Sequence, residues 1–202
     1  MSDIKLYQGD CLEIMKDIPD QSVDFILTDL PYGTTSCSWD MAIPFQEMWA
    51  QINRVIKPKK AISLFGDEPF SSALRMSNIA NYKYDWVWDK VSPRGFLNSK
   101  KRPMKRTENI MIFSNGCPPY YPIMRKGKMR AKGNYNHEKS EGKRVYGDFK
   151  NVGSVNDLYF PTNLISISNA VQKGKVHPTQ KPVELLEYLI QTYTLEGEIV
   201  LD

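Results

Sequence analysis

The sequence predicts an α/β fold built on a doubly wound, mostly parallel sheet, and three observations carry that prediction. Short apolar runs alternate with amphipathic segments of helical period along most of the chain. Proline marks where helical segments start or stop, positions that tolerate its fixed φ and missing N–H. The 202 residues, 41% hydrophobic and 25% charged, suit a globular chain with a sizeable core rather than a disordered one.

The elements follow in order. Residues 4–8 (IKLYQ) and 23–27 (VDFIL) read as short strands around a helix at 11–18 (CLEIMKDI), where Leu12, Met15 and Ile18 recur at helical spacing. Residues 43–56 (IPFQEMWAQINRVI) form a second amphipathic helix with Pro44 in its first turn, ending before Pro58. Residues 61–65 (AISLF) read as a strand, 68–80 (EPFSSALRMSNIA) as a helix, and 84–88 (YDWVW) and 108–114 (ENIMIFS) as strands. Later come a strand at 163–168 (NLISIS), a helix at 182–194 (PVELLEYLIQTYT) opened by Pro182, and a last strand at 198–202 (EIVLD). Such a sheet is covered on both faces and binds ligands beyond the carboxyl ends of its strands.

Charge is distributed unevenly. Residues 100–150 hold 14 Lys and Arg against 4 Asp and Glu, whereas the rest of the chain holds 13 against 19. Lys100, Lys101, Arg102, Arg125, Lys126, Lys128 and Arg130 lie in this segment with Tyr120, Tyr121, Tyr135 and Tyr146. Basic residues interleaved with aromatics suit a phosphate backbone and exposed bases, the competing reading being a solvated loop. No run reaches the roughly 18 apolar residues of a membrane span, and the N-terminus lacks the pattern of a signal peptide, so an intracellular, cytoplasmic protein is expected. Cys11, Cys37 and Cys117 are odd in number and form no CxxC pair, so neither a disulfide framework nor a zinc site is expected.

The stretch DFILTDLPYGTT, at 24–35, ends an apolar run on Asp29, Leu30, Pro31 and Tyr32. At the carboxyl end of a buried strand, Asp29 supplies a charged acceptor. Pro31 fixes a tight backbone whose carbonyls face outward, and Tyr32 adds an aromatic face. A planar base bearing an exocyclic amine requires those three things. Taken alone, DLPY equally fits a turn with a capping Asp.

DLPY, then HPTQKPVELLEYLI, then EGEIVLD resembles the amino-group DNA methyltransferases, which methylate adenine N6 or cytosine N4 with S-adenosylmethionine. The likeness covers nearly the whole chain: GDCLEIMKDIPDQSVDFILTDLPYG, SLFGDEPF, YDWVWDK and RTENIMIFSNG match the family's motifs in order. Catalytic tetrad first, target recognition next and cofactor loop last is the order of the β group. The resemblance implies the S-adenosylmethionine-dependent methyltransferase fold with a catalytic part at 1–114, an inserted basic target-recognition segment at 115–162 and the start of a cofactor-binding part at 163–202.

It also implies site residues. Asp29, Leu30, Pro31 and Tyr32 would be the tetrad: Tyr32 stacks a flipped base while Asp29 and the Leu30 or Pro31 carbonyl accept hydrogen bonds from its amine. Asp10, Cys11, His177, Thr179, Gln180, Lys181 and Asp202 would lie at the cofactor, with Thr179, Gln180 and Lys181 at its methionyl carboxylate. Lys100, Lys101, Arg102, Arg125, Lys126, Lys128 and Arg130 would contact double-stranded DNA. No metal is implied. Two departures stand out: Leu30 replaces the usual proline, and Asp202, which would begin the family's D-x-F-x-G-x-G loop, is the last residue. The 202-residue chain is therefore expected to bind the cofactor weakly and to be inactive alone. Asp at the first tetrad position favours adenine over cytosine N4, and the competing class is a noncatalytic DNA-binding remnant, as from a prophage. A bacterial or phage source fits the resemblance, which also allows a homodimer and a cognate restriction endonuclease as partners.

Overall fold

A computed structural model describes residues 3–33, 41–132, 154–169 and 179–202. It divides into two compact units: Met1–Tyr121 with Thr162–Asp202, and Pro122–Pro161.

In the first unit the chain runs through α1 (Cys11–Met15), β1 (Val23–Thr28), α2 (Phe45–Val55), β2 (Ile56–Gly66), α3 (Phe70–Ser77), β3 (Tyr82–Arg94) and β4 (Lys105–Phe113). The second unit, described below, contributes β5 (Arg125–Lys132) and β6 (Ser154–Tyr159). The first unit resumes with β7 (Leu164–Ser166), α4 (Val183–Tyr193) and β8 (Val200–Leu201). Six strands form one sheet in the order β7-β3-β4-β2-β1-β8. β1 pairs parallel with β2 and β8, and β3 parallel with β7, whereas β4 is antiparallel to both neighbours. The reversal follows from the connection at 95–104, too short for a crossover that would return the chain parallel.

Strand alternation divides the core between the two faces. Ile26, Ile62, Leu64, Met111 and Phe113 point to one face, where α2 brings Met48, Trp49, Ile52 and Val55 and α3 brings Phe70 and Leu74. Phe25, Leu27, Phe65, Trp86, Trp88, Ile110 and Ile112 point to the other, under Leu185, Leu189 and Tyr193 of α4. Each fully buried large side chain contributes about 1.5–3 kcal/mol of transfer free energy. Two indoles that this packing buries find partners: the Trp49 indole donates to Ser77 Oγ at 2.8 Å, joining α2 to α3. The Trp86 indole donates to Tyr193 Oη at 2.6 Å, joining the sheet to α4.

At the amino end of β1 the register shifts between Val23 and Phe25, and the buried Asp24 carboxylate accepts from Lys57 Nζ at 2.7 Å and the Ile199 N–H at 3.1 Å. Burial acts to raise the Asp24 pKa, but Lys57, the Ile199 N–H and Lys60 outweigh it and hold the carboxyl below its ordinary value. Lys60 also pairs with Glu198, so this cluster ties the loop before β8 to β1.

Three expectations need correction. Residues 4–8 form no strand; Ile4, Leu6 and Tyr7 are exposed, and α1 is the first regular element. Alternation of Ile4 and Leu6 with polar residues mimics a strand, yet a strand needs a ladder partner, and among the described residues none pairs with these. Pro44 sits at the N-cap of α2 rather than inside its first turn. Finally, the basic segment is not one piece: Lys100, Lys101, Arg102, Tyr120 and Tyr121 belong to the first unit. Tyr120 lies with its ring 6.5 Å from Trp86 and 6.4 Å from Tyr193, and the Tyr121 N–H donates to the Thr192 carbonyl, so these two help seat α4.

The second unit is an antiparallel ribbon of β5 and β6. Tyr159 of β6 lies across Gly127, where a Cβ would come within 2.7 Å of the ring. Its hydroxyl donates to the Lys128 carbonyl at 2.8 Å, and the Arg130 guanidinium sits 3.9 Å from its centroid. No helix among the described residues is long and apolar enough to cross a membrane.

Candidate active site

Topology decides which residues meet. Asp29 to Tyr32 leave the carboxyl end of β1. Because β4 runs antiparallel to β2, with Gly66 opposite Asn109, the start of β4 lies at that same edge and delivers Glu108. Glu108 is paired with Trp88 of β3, so Lys90 follows two residues on, and Lys181 arrives in the turn before α4. The ladder between β3 and β4 is interrupted after Asp89, where Val91 takes φ +64°, uncommon for a β-branched residue, and its N–H bonds Asp89 Oδ1 at 2.9 Å.

The result is a compact charged cluster. Tyr32 Oη lies 2.9 Å from Asp29 Oδ1 and 2.9 Å from Glu108 Oε1. Lys181 Nζ donates to Asp29 Oδ2 at 2.6 Å and stands 3.1 Å from Glu108 Oε1, and Lys90 Nζ is 2.5 Å from Glu108 Oε2. Aromatic faces support both cations, Lys90 over Trp88 at 5.1 Å and Lys181 over Phe65 at 4.9 Å. Glu108 is 5% exposed while the Asp29 side chain is 34% exposed, so the cluster runs from solvent into the core.

Electrostatics follow from those contacts. Burial acts to raise the Glu108 pKa, but Lys181 and Lys90 outweigh it and hold the carboxyl below its usual value. Burial, then the charges of Glu108 and Asp29, push the Tyr32 phenol far above its ordinary value, so it stays protonated. The Tyr32 ring stacks on Phe70 with centroids 4.9 Å apart and planes at 22°, and Phe45 packs on Phe70 in turn.

The expected site residues divide into three groups. Asp29, Tyr32 and Lys181 are brought together directly. Leu30 is 8% exposed and packs in the core, so the tetrad backbone is fastened from below, while Pro31 is half-buried beside it. Thr179 and Gln180 precede Lys181 in the turn before α4. Elsewhere, Asp10 caps α1 through Leu12 N–H at 2.8 Å, with the exposed Cys11 as that helix's first residue. At Asp202, partial burial of the carboxyl and then the Asp29 charge raise its pKa, opposed by a hydrogen bond with Thr28. Lys100, Lys101 and Arg102 are exposed in the β3–β4 connection, and Arg125, Lys126 and Lys128 are exposed on β5, with Arg130 half-buried. His177, with Cys37, Tyr135, His137 and Tyr146, lies outside the described residues.

Sequence reasoning missed Glu108, Lys90, Phe65, Phe70 and Trp88. Glu108 left one signal: a carboxylate followed by the apolar run Ile110–Phe113, an expensive placement unless paired. No group of three or more His, Cys, Asp or Glu able to hold a metal ion occurs among the described residues.

This fold is shared with DNA methyltransferases of known structure. The chain covers 71% of PvuII DNA methyltransferase (cytosine-N4-specific), with TM-score 0.60 and 17% identity over 96% of this chain. It covers 80% of the chain in the M1.HpyAVI–SAM complex, with TM-score 0.59 and 22% identity over 97% of this chain. The family model N6_N4_Mtase, described as DNA methylase, matches residues 23–202, and the chain belongs to that family. Its relatives include the type II methyltransferases M.BglII of Bacillus subtilis, 29% identical over 98% of this chain, and M.HpaI of Haemophilus parainfluenzae, 25% identical over 99%. The chain spans 58% and 63% of the length of these two curated relatives.

Proposed function

We propose that this chain carries the catalytic part of a DNA amino methyltransferase that moves a methyl group from S-adenosylmethionine to the N6 amine of a flipped adenine. The observation carrying this reading is the Asp29–Tyr32 pair at the carboxyl edge of the sheet, an anionic acceptor beside an aromatic ring already backed by Phe70. A base entering there stacks on Tyr32 and offsets part of its unstacking cost. Asp29 and the carbonyl of Leu30 or Pro31 accept from the amine, hold its lone pair toward the methyl donor and stabilise the positive charge that develops on nitrogen. Asp29 at the first tetrad position, where the family's adenine enzymes more often carry Asp, makes adenine the first choice.

The donor set beside this pocket fits S-adenosylmethionine, which supplies an electrophilic methyl group. Pro182, the N-cap residue of α4, makes no side-chain cap, and a helix N-terminus suits the carboxylate of the methionyl group. Thr179 and Gln180 precede that turn, and Asp10, Cys11, His177 and Asp202 complete the proposed cofactor residues. Lys181, whose ammonium is engaged by Asp29 and Glu108, serves the base pocket in this reading and reaches the cofactor only through it.

The test is product analysis: digested mixed-sequence DNA, after incubation with labelled S-adenosylmethionine and the whole enzyme of which this chain is the proposed catalytic part, is expected to yield N6-methyladenine. Label in N4-methylcytosine alone would overturn the choice of base, and label in neither would overturn the activity.

The basic ribbon is assigned to double-stranded DNA, with Lys100, Lys101 and Arg102 as further phosphate contacts. Replacing Arg125, Lys126, Lys128 and Arg130 together with Gln is expected to weaken binding and to flatten the log-affinity against log-salt slope by about three to four units, close to one per phosphate contact. A fluorescence-anisotropy salt titration reads this directly; an unchanged slope returns the ribbon to a solvated surface.

A further inference from the structure

The Tyr32 hydroxyl poses a proton-counting problem. Its oxygen lies 2.9 Å from a carboxylate oxygen on each side, Asp29 Oδ1 and Glu108 Oε1. A phenol has one proton to donate and two lone pairs. With both carboxylates ionised, one of the two short contacts has no hydrogen between its oxygens. A single additional proton repairs this: one carboxyl O–H donates to Tyr32 Oη, and the Tyr32 O–H donates to the opposite carboxylate. Lys181 and Lys90 balance the two negative charges while that place stays unfilled.

We infer that Asp29, Tyr32 and Glu108 form a relay that takes up the proton the target amine must lose, with buried Glu108 as its inner terminus. The inference rests on the base-pocket reading above. As the amine nitrogen bonds the methyl carbon, the pair of the breaking sulfur–carbon bond stays on sulfur and the nitrogen becomes cationic. The nitrogen then gives one proton to Asp29, Asp29 passes a proton to Tyr32 Oη, and Tyr32 passes its own to Glu108, so that Asp29 is ionised again, Tyr32 is still a phenol and Glu108 carries the extra proton. The product amine leaves neutral, and the cluster holds one proton more than before. Glu108 touches no substrate and acts through Tyr32, so it is a positioning residue. The ionisable groups facing the relay come from every side: Lys90 from β3, Lys181 before α4, and Asp202 within the field of Asp29.

The relay has a signature without substrate. In protein labelled with 13C at tyrosine Cζ, the Tyr32 resonance, identified by its loss in Tyr32→Phe, is expected to follow a one-proton transition at acid pH. Glu108→Gln or Asp29→Asn, by removing one of two neighbouring carboxylates, should move that transition to lower pH by about one unit or more. Each variant serves as the test if the other fails to fold. A Tyr32 resonance that follows no such transition, or one that neither substitution moves, overturns the inference.

In single-turnover methyl transfer by the whole enzyme, Glu108→Gln is expected to be at least about tenfold slower at neutral pH, with its acid limb displaced downward. A slowed variant with the parent's pH profile, or a parent-like rate, overturns the relay. A whole enzyme that shows the resonance behaviour yet transfers no methyl group supports the shared proton and counts against the base pocket instead.

Discussion

In the whole enzyme of which this chain is the proposed catalytic part, Asp29→Ala is expected to lower the single-turnover methyl-transfer rate by two to three orders of magnitude, a loss on the order of 3 kcal/mol or more. Asp29 accepts from Tyr32 and Lys181 in the structure and, in the proposed reaction, from the target amine. Removing it deletes the anion facing nitrogen at the moment that nitrogen becomes cationic, while leaving the Tyr32–Phe70 stack and the Lys181–Glu108 pair able to form. The side chain is one-third exposed, so the fold should tolerate its loss. Rapid-quench measurement with labelled cofactor checks this, and a rate within threefold of the parent would remove Asp29 from the reaction.

Trp88→Ala should give the largest stability loss, about 3–5 kcal/mol in urea denaturation. Trp88 is fully buried, its indole N–H donates 2.9 Å to the Ile167 carbonyl, and Phe65 meets it edge-on at 6.4 Å. Truncation opens a cavity and orphans a carbonyl beside β7, a strand of only three residues. It also strips the aromatic platform from Lys90. Leu97→Ala, at a position 96% exposed, serves as the control and should change stability by less than about 0.5 kcal/mol. A Trp88→Ala loss below about 1 kcal/mol would show that the site collapses around the missing ring.

What could be read from the sequence was what local pattern dictates. The stripe of Met48, Trp49, Ile52 and Val55 declared α2, and the run VDFIL declared β1 together with the edge where Asp29 emerges. Strand direction carries no such local mark. ENIMIF reads the same in either sense, so the reversal of β4, and with it the arrival of Glu108 beside Tyr32, depended on the ladder it joined. The ribbon escaped for a related reason: RKGKMRAK is mostly charged, with only Gly127, Met129 and Ala131 between its basic residues, and its pairing with β6 is supported by Tyr159 lying on Gly127, a contact 32 residues apart in sequence. Residues 4–8 show the converse, a strand-like pattern that lacks a neighbour.

The reversed β4 has a consequence for how the surface at that edge can vary. A hairpin whose open connection, 95–104, hangs from the catalytic edge can vary in length and charge while both its strands stay locked in the core. Lys100, Lys101 and Arg102 sit on that connection, a dozen or fewer residues along the chain from both Lys90 and Glu108. Grafting another sequence between Gly95 and Met104 would thus change the exposed, basic surface at that end of the sheet and leave the ladder between β3 and β4 in place.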